Sequence, residues 1–442
     1  MKTKKWAGLL LACVMILTVL SGCSGSGNKS TESGNSTSGG NSPSTENSGK
    51  AEKVTLKMAM WDSNNDFINF VTEKVKEYSQ VDPNVTVEVE SFKSDSDYLQ
   101  AIKVRAGGGA LPDLMELKPN WLADFKEQLI PLDDLGVVSA NKYAKTYAID
   151  GKVIAIPSVS FPELVYYHPS VFEELSLEVP TTWPQFVDTL KKIKEHGTYI
   201  PYAMGGKDAW PNYPFNEFLP HIISDNENYL SDLAKEDAPF GEGTPFYEGY
   251  KQIAEMYDAG VMGPDPLGIG SDQANDLFIS KQAAVLAAGL WFVPTYESKA
   301  GTLEDLAAFP MPYRQDESTP LKLMMFTDHF YGISNTSKHQ EQAKAFMEWF
   351  YSPEVYKEYL NAAQLDSAFE GVESEVPFLK TFYEQHKPEN FMYIPGDAEY
   401  TELSNAIQLD VKALGQEMMA GKSVEDIVKD LNAKWTQARK NK

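Results

Sequence analysis

The sequence predicts an α/β protein of two units, each organised around a parallel sheet. Three observations predict it. Val54, Leu56, Met58 and Met60 alternate with Thr55, Lys57 and Ala59, the period of two of a strand. Phe67, Phe70, Val71, Val75 and Tyr78 follow at helical spacing, and strand-like and helical stretches go on alternating after them. Beyond Lys50 the chain is long enough for two cores.

Taken in order, the first helix stops at Asp82-Pro83, because proline cannot continue it. Val85, Val87 and Val89 alternate as a second strand, Tyr98 and Ile102 mark a second helix, and Asp113 to Leu117 a third strand. This β-α-β-α-β order implies parallel pairing. Ligands of such sheets sit beyond the carboxyl ends of the strands, which puts Trp61-Asp62-Ser63-Asn64-Asn65 and Glu116 at a cleft. Asp62 has a second reading, as the cap of the helix behind it. Past Asp150-Gly151, Val153 to Ile156 reads as a short strand ended by Pro157, after which a second unit begins. Thr182 and Gln185 have capping-box spacing, and Phe186, Leu190 and Ile193 give the next helix one buried face. Ser352-Pro353 opens another helix. Residues 402 to 438 read as helix in two pieces, broken at Gly421, with Ser423 and Asp426 capping the second.

The amino terminus is of another kind. Lys2, Lys4 and Lys5 precede an uncharged, mostly apolar stretch from Trp6 to Leu20, too short for a stable membrane anchor and followed by small Ser21 and Gly22. Residues 1–22 therefore read as a secretory signal. Cys23, directly after Leu20-Ser21-Gly22, resembles the lipidation site of bacterial lipoproteins. Residues 24–50 carry no apolar side chain except one proline, so 23–50 read as a lipidated cysteine and a disordered tether spanning roughly 26–31 Å. The membrane is thus met through the lipid on Cys23 alone.

Composition then excludes several functions. The formal charge of −24 becomes −27 once the three leader lysines are removed, a surplus of carboxylates that excludes nucleic acid as a partner. Cys13 and Cys23 are the only cysteines, so the body has no disulfide and no thiolate ligand or nucleophile. The six histidines show no ligand spacing, which predicts no metal site and no cofactor. Gly107-Gly108-Gly109 lacks the Lys-Ser/Thr of a phosphate loop, and no Gly-x-Ser-x-Gly elbow occurs.

Four stretches carry a resemblance. Asp150 to Pro157, Leu164-Val165-Tyr166-Tyr167, Val171-Phe172 and Pro180-Thr181-Thr182-Trp183 form the first; Gly107 to Asp113 with Leu129-Ile130-Pro131-Leu132 the second; Lys281-Gln282-Ala283-Ala284 through Gly289-Leu290-Trp291 the third; Ala343 to Pro353 the fourth. In this order they resemble the sugar-binding family of extracellular solute-binding proteins that serve bacterial ABC importers. The resemblance implies a two-lobed, type II periplasmic-binding-protein-like α/β fold with a hinge and the ligand between the lobes. It implies one lobe from 51–157 plus 325–365 and another from 158–324 plus 366–442. Implied binding positions are Trp61, Asp62, Asn64, Glu116, Trp210, Trp291 and Tyr400. Thr327-Asp328-His329-Phe330 stands where relatives often have a glycine pair, which adds Asp328 and brings His329 beside it. Implied partners are a carbohydrate and the permease subunits of an ABC transporter, met by a monomer on the outer face of the cell membrane.

Aromatic rings beside polar groups suit a sugar, whose pyranose has an apolar face and a rim of hydroxyls. Each tryptophan has an alternative reading as core; Trp121, Trp183, Trp349 and Trp435 are assigned to packing. A receptor without catalytic residues is the main reading. The alternatives are a secreted glycoside hydrolase, which needs two carboxylates across one bond, and a binding protein for a non-sugar solute.

Overall fold

β1 (Val54–Trp61) starts half-buried, with Thr55 and Lys57 exposed as the alternation implies, but from Met58 on every side chain is buried. Met58 and Met60 enter one apolar cluster while Ala59 and Trp61 enter another on the opposite face, so this is an interior strand. The computed structural model describes residues 53–62 and 64–442; the signal segment, Cys23 and the tether lie outside the described residues. β2 (Val85–Phe92) and β3 (Leu114–Leu117) flank β1 in parallel, as the βαβ reading requires. The helix over Asn65–Lys74 tightens to a 3-10 turn and ends before Asp82, where the Asp-Pro pair stops it. Asn64, not Asp62, caps it: its side chain accepts from the backbone N–H of Asp66 and Phe67. The second crossover helix is Asp95–Gly108, with Tyr98 and Ile102 facing inward.

Two long strands tie the halves together. β4 (Ile156–Tyr167) and β8 (Lys322–Ile333) are antiparallel neighbours in the order β2-β1-β3-β8-β4-β6-β5. Here β5 is Ile200–Tyr202 and β6 is Ala283–Gly289. The first part of β4, Ile156 to Pro162, pairs with β8, and the rest, Glu163 to Tyr167, pairs with β6 and with β7 (Ala307–Pro310). Parallel pairing thus holds within each lobe, β1 with β2 and β3 in one and β5 with β6 in the other. The expected short strand over Val153 to Ile156 is corrected: the strand begins at Ile156 and runs through Pro157 and Pro162. Proline is tolerated because this part of β4 pairs along one side with β8 and along the other only at Val159 and Ser160.

The ladder between β4 and β8 keeps one register on either side of Ser158 and His329 but misses that pair. His329 has φ +53°, a left-handed conformation that strains a non-glycine residue. Instead of ladder bonds, the Ser158 hydroxyl donates to the His329 carbonyl at 2.6 Å and meets the Tyr351 hydroxyl at 2.7 Å.

Elsewhere the helix over Trp183–His196 has Thr182 as its cap, but Gln185 reaches back to the N–H of Thr181, one residue beyond a capping box. Ser352 precedes its helix without capping it, since its hydroxyl donates to the Trp349 carbonyl. The carboxyl-terminal helices number three rather than two: Ala398–Ala406, Val411–Met419 and Val424–Lys440. Asp410 caps the middle one, a signal passed over in the sequence, while Gly421 at φ +96° and the Ser423 cap stand as expected.

Candidate functional site

At the end of β1 the chain presents Trp61, whose ring is only 8 % exposed. It lies 5.1 Å from Tyr98, 5.2 Å from Trp121 and, face to face, 6.0 Å from His329. The Lys118 ammonium stands 5.6 Å from the Trp61 ring and 5.8 Å from that of Trp121, while bonding Asp95 at 2.5 Å. Beneath Trp61 is Glu116, fully buried in β3. One of its oxygens accepts the Trp61 N–H at 2.9 Å and the other pairs with His329 Nδ1. Burial pushes Glu116 up to about 7, against the pull of His329. Burial pulls the imidazole down in turn, but the carboxylates around it, Glu116 first and then Asp328 and Asp62, together more than offset this and hold His329 up to about 9. Glu116 is therefore a support behind the wall, with no oxygen at its surface.

Asp62 follows Trp61 at the rim; burial raises its carboxyl, with His329 opposing and Asp328 adding to the rise. The Asn64 carbonyl oxygen is committed to the helix cap, and Asp328 accepts from the backbone N–H of His329 at 2.9 Å.

A second aromatic group is built by the other lobe. Trp210, 38 % exposed, is among the few large apolar side chains open to solvent. It stacks on Tyr213 at 6.2 Å and meets Trp291 at 5.8 Å. Trp291 opens the helix Phe292–Ala300 directly after β6 and is partly buried. Between the lobes lies a cavity of about 650 Å³ lined by Trp121, Tyr147, Glu217, Tyr393, Tyr400 and Lys412 among others. The Tyr147 hydroxyl donates to the Tyr393 carbonyl at 2.7 Å, and the Tyr393 hydroxyl donates to Glu217 at 2.8 Å. Lys412 stands 3.9 Å from the same Glu217.

The profile of the bacterial extracellular solute-binding proteins matches residues 63–357. The chain belongs to this family. The multiple sugar-binding protein of Streptococcus mutans is 21 % identical over 385 residues, covering 85 % of each chain. The sn-glycerol-3-phosphate-binding periplasmic protein UgpB of Rhizobium meliloti is 24 % identical over 310 residues, 65 % of this chain and 61 % of that one. Among solved structures, the solute-binding protein RafE in complex with raffinose superposes with a TM-score of 0.72 at 20 % identity, covering 88 % of this chain and all of that one. The fold is thus the two-lobed type II fold of the solute-binding proteins.

Within this solute-binding protein, Trp61, Asp62, Glu116 and Asp328 gather around His329 in the first lobe, and Trp210 and Trp291 meet in the second. Tyr400 stands apart from both groups, in the cavity wall. Trp121, assigned to packing from the sequence, does pack on Trp61 but also lines the cavity. Trp183 and Trp435 are fully buried, as assigned. Tyr147, Tyr213, Glu217 and Tyr393 are not marked in the sequence, since they are spread over separate stretches and share no motif. Among the described residues no group of His, Cys, Asp and Glu could hold a metal ion, and no helix is long and apolar enough to cross a membrane.

Proposed function

We propose that this solute-binding protein captures an uncharged mono- or oligosaccharide between its lobes and delivers it to the permease of an ABC importer. The observation that carries the reading is two aromatic pairs, Trp61 with Trp121 beside the carboxylates Asp62 and Asp328, and Trp210 with Trp291 in the other lobe. Flat apolar surface next to hydroxyl acceptors is what a pyranose needs. The raffinose bound by RafE and the name of the streptococcal relative support the same class. The glycerol phosphate named for UgpB fits less well, because Lys118 and Lys412 at the cleft each already face a carboxylate. We place one lobe in 51–157 plus 325–365 and the other in 158–324 plus 366–442, with the hinge where the ladder fails at Ser158 and His329.

The receptor is read as non-catalytic. Glu116 and Glu163, the carboxyls that burial drives furthest towards neutrality, each stand behind an aromatic side chain, Trp61 and Tyr213, with no exposed oxygen to share a scissile bond. Incubation with oligosaccharides should yield no products by chromatography. A thermal-shift screen against carbohydrates tests binding: a ligand at a hundred times its dissociation constant adds about 2.7 kcal/mol. Glycerol phosphate shifting the midpoint while every sugar leaves it unchanged would select the other reading.

Two further outcomes are expected. Trp291→Ala should weaken sugar binding by roughly 1–3 kcal/mol by calorimetry, with a smaller loss for Trp291→Phe. Anchoring at the outer face of the membrane by the lipid on Cys23 is tested by Cys23→Ser, which should release the protein into the medium; unchanged membrane retention contradicts it.

A further inference from the structure

Glu163 lies on β4 directly across from Gly289 of β6. Its side chain is buried, and its Oε1 accepts a hydrogen bond from the Tyr213 hydroxyl at 2.5 Å while its Oε2 has no partner. The Tyr213 ring in turn stacks with Trp210, and Trp210 meets Trp291. The Trp291 side chain approaches the Tyr213 hydroxyl as well, favouring its ionised form against the dominant effect of burial. Gly289 closes the corner. A Cβ there would stand 2.5 Å from Trp291 Nε1, 2.7 Å from its Cδ1 and 2.9 Å from Phe161, so the indole occupies the space of a missing side chain.

We propose that Glu163, Tyr213 and the bare backbone of Gly289 are the positioning residues of the Trp291 platform, so that ligand affinity follows the Glu163–Tyr213 hydrogen bond as well as the indole surface. This rests on the cleft being the binding site, as proposed above. None of the three needs to touch ligand. Glu163 fixes the Tyr213 hydroxyl, Tyr213 fixes the edge of the Trp210 and Trp291 rings, and Gly289 leaves the floor open for the indole.

The groups that face Glu163 are Tyr213 and Glu217 from the helical side, Tyr166 from its own strand and Tyr202 from β5. Burial is the main cause that pushes its carboxyl up to about 8; Tyr213 opposes the rise and Glu217 adds to it. The corner is therefore built around the neutral acid. Ionisation demands solvation that the corner supplies only by opening, so affinity falls as pH rises through about 8.

The test uses raffinose as probe, with calorimetry from pH 6 to 9.5 on the wild type, Glu163→Gln, Tyr213→Phe and Gly289→Ala. Glutamine still accepts the Tyr213 bond, so Glu163→Gln binds like the wild type at pH 7 and lacks its fall near pH 8. Glu116 and His329 titrate in both proteins, and the difference between the profiles isolates Glu163. Gly289→Ala loses about tenfold in affinity and Tyr213→Phe about fivefold. Without ligand, the Trp291 emission, taken as wild type minus Trp291→Phe, shifts in Tyr213→Phe and in Gly289→Ala. Unchanged affinity in both variants, or a Glu163→Gln profile that keeps the wild-type fall, overturns the proposal. If raffinose does not bind the wild type, the emission decides alone: a shift supports the positioning role while the sugar reading fails, and no shift overturns the role itself.

Discussion

Glu116→Ala is expected to lower the unfolding free energy by about 3–5 kcal/mol, the largest effect of any single substitution at the cleft. The pair it breaks is buried on both sides, with Glu116 fully enclosed and His329 8 % exposed. Removing the carboxylate leaves the imidazole buried without its counter-charge and frees the Trp61 N–H that Glu116 accepts. The wild-type pair also sets a pH dependence. A histidine raised to about 9 from 6.5 contributes stability that is fully present below pH 6.5 and is lost as pH rises through 9. Denaturant titrations at pH 6 and pH 9 should show a larger loss in the wild type than in Glu116→Ala, where the fall due to Glu163 remains. Equal midpoints for the two proteins at pH 6 would mean the ion pair supports nothing.

The second large effect has the opposite sign. Glu163→Gln should stabilise the protein, on the order of 2–3 kcal/mol at pH 7. The carboxyl is raised from 4.5 to about 8, so folding takes up a proton between those values and stability falls as pH rises across the window. Glutamine keeps the bond from Tyr213 and removes that slope. The gain should be near nil at pH 4.5, grow with pH and level off above 8, as measured by chemical unfolding across the range. A constant difference at all pH values would show that Glu163 does not titrate in this window.

These two residues mark where the sequence is readable and where it is not. The run from β1 to β3 was legible because alternation at Val54 to Met60 and Val85 to Val89 reports burial on one face, and helical spacing at Phe67 to Tyr78 reports the layer behind. The length of β4 was not, since Pro157 signals an end wherever the edge of a strand cannot be seen, and only the pairing with β8 shows that it is an edge. Glu116 was found because it sits in a short strand whose neighbours mark the cleft, but its partner His329 lies 213 positions away in β8, so its burial could not be read locally. Glu163 was hidden in the apolar run Phe161 to Tyr167, where a lone acid gives no sign of the tyrosine that bonds it. Trp121 was read as packing because packing and lining are not exclusive for a ring at a cleft wall. Trp210 and Trp291 were legible singly; that they meet depends on how β6 and the 3-10 turn after Ala209 come together.

The central claim is that the two lobes close on a carbohydrate held between their aromatic walls. Closure requires that the second wall complete its contacts only in the shut state, since a ligand shifts the equilibrium only by its differential affinity. Small-angle scattering of the wild type, with and without saturating amounts of the sugar that most raises the melting midpoint, tests this most directly. The account predicts a smaller radius of gyration with the sugar, and in Trp291→Ala the same decrease only at proportionally higher sugar concentration. An unchanged radius in the wild type at proven saturation would contradict it.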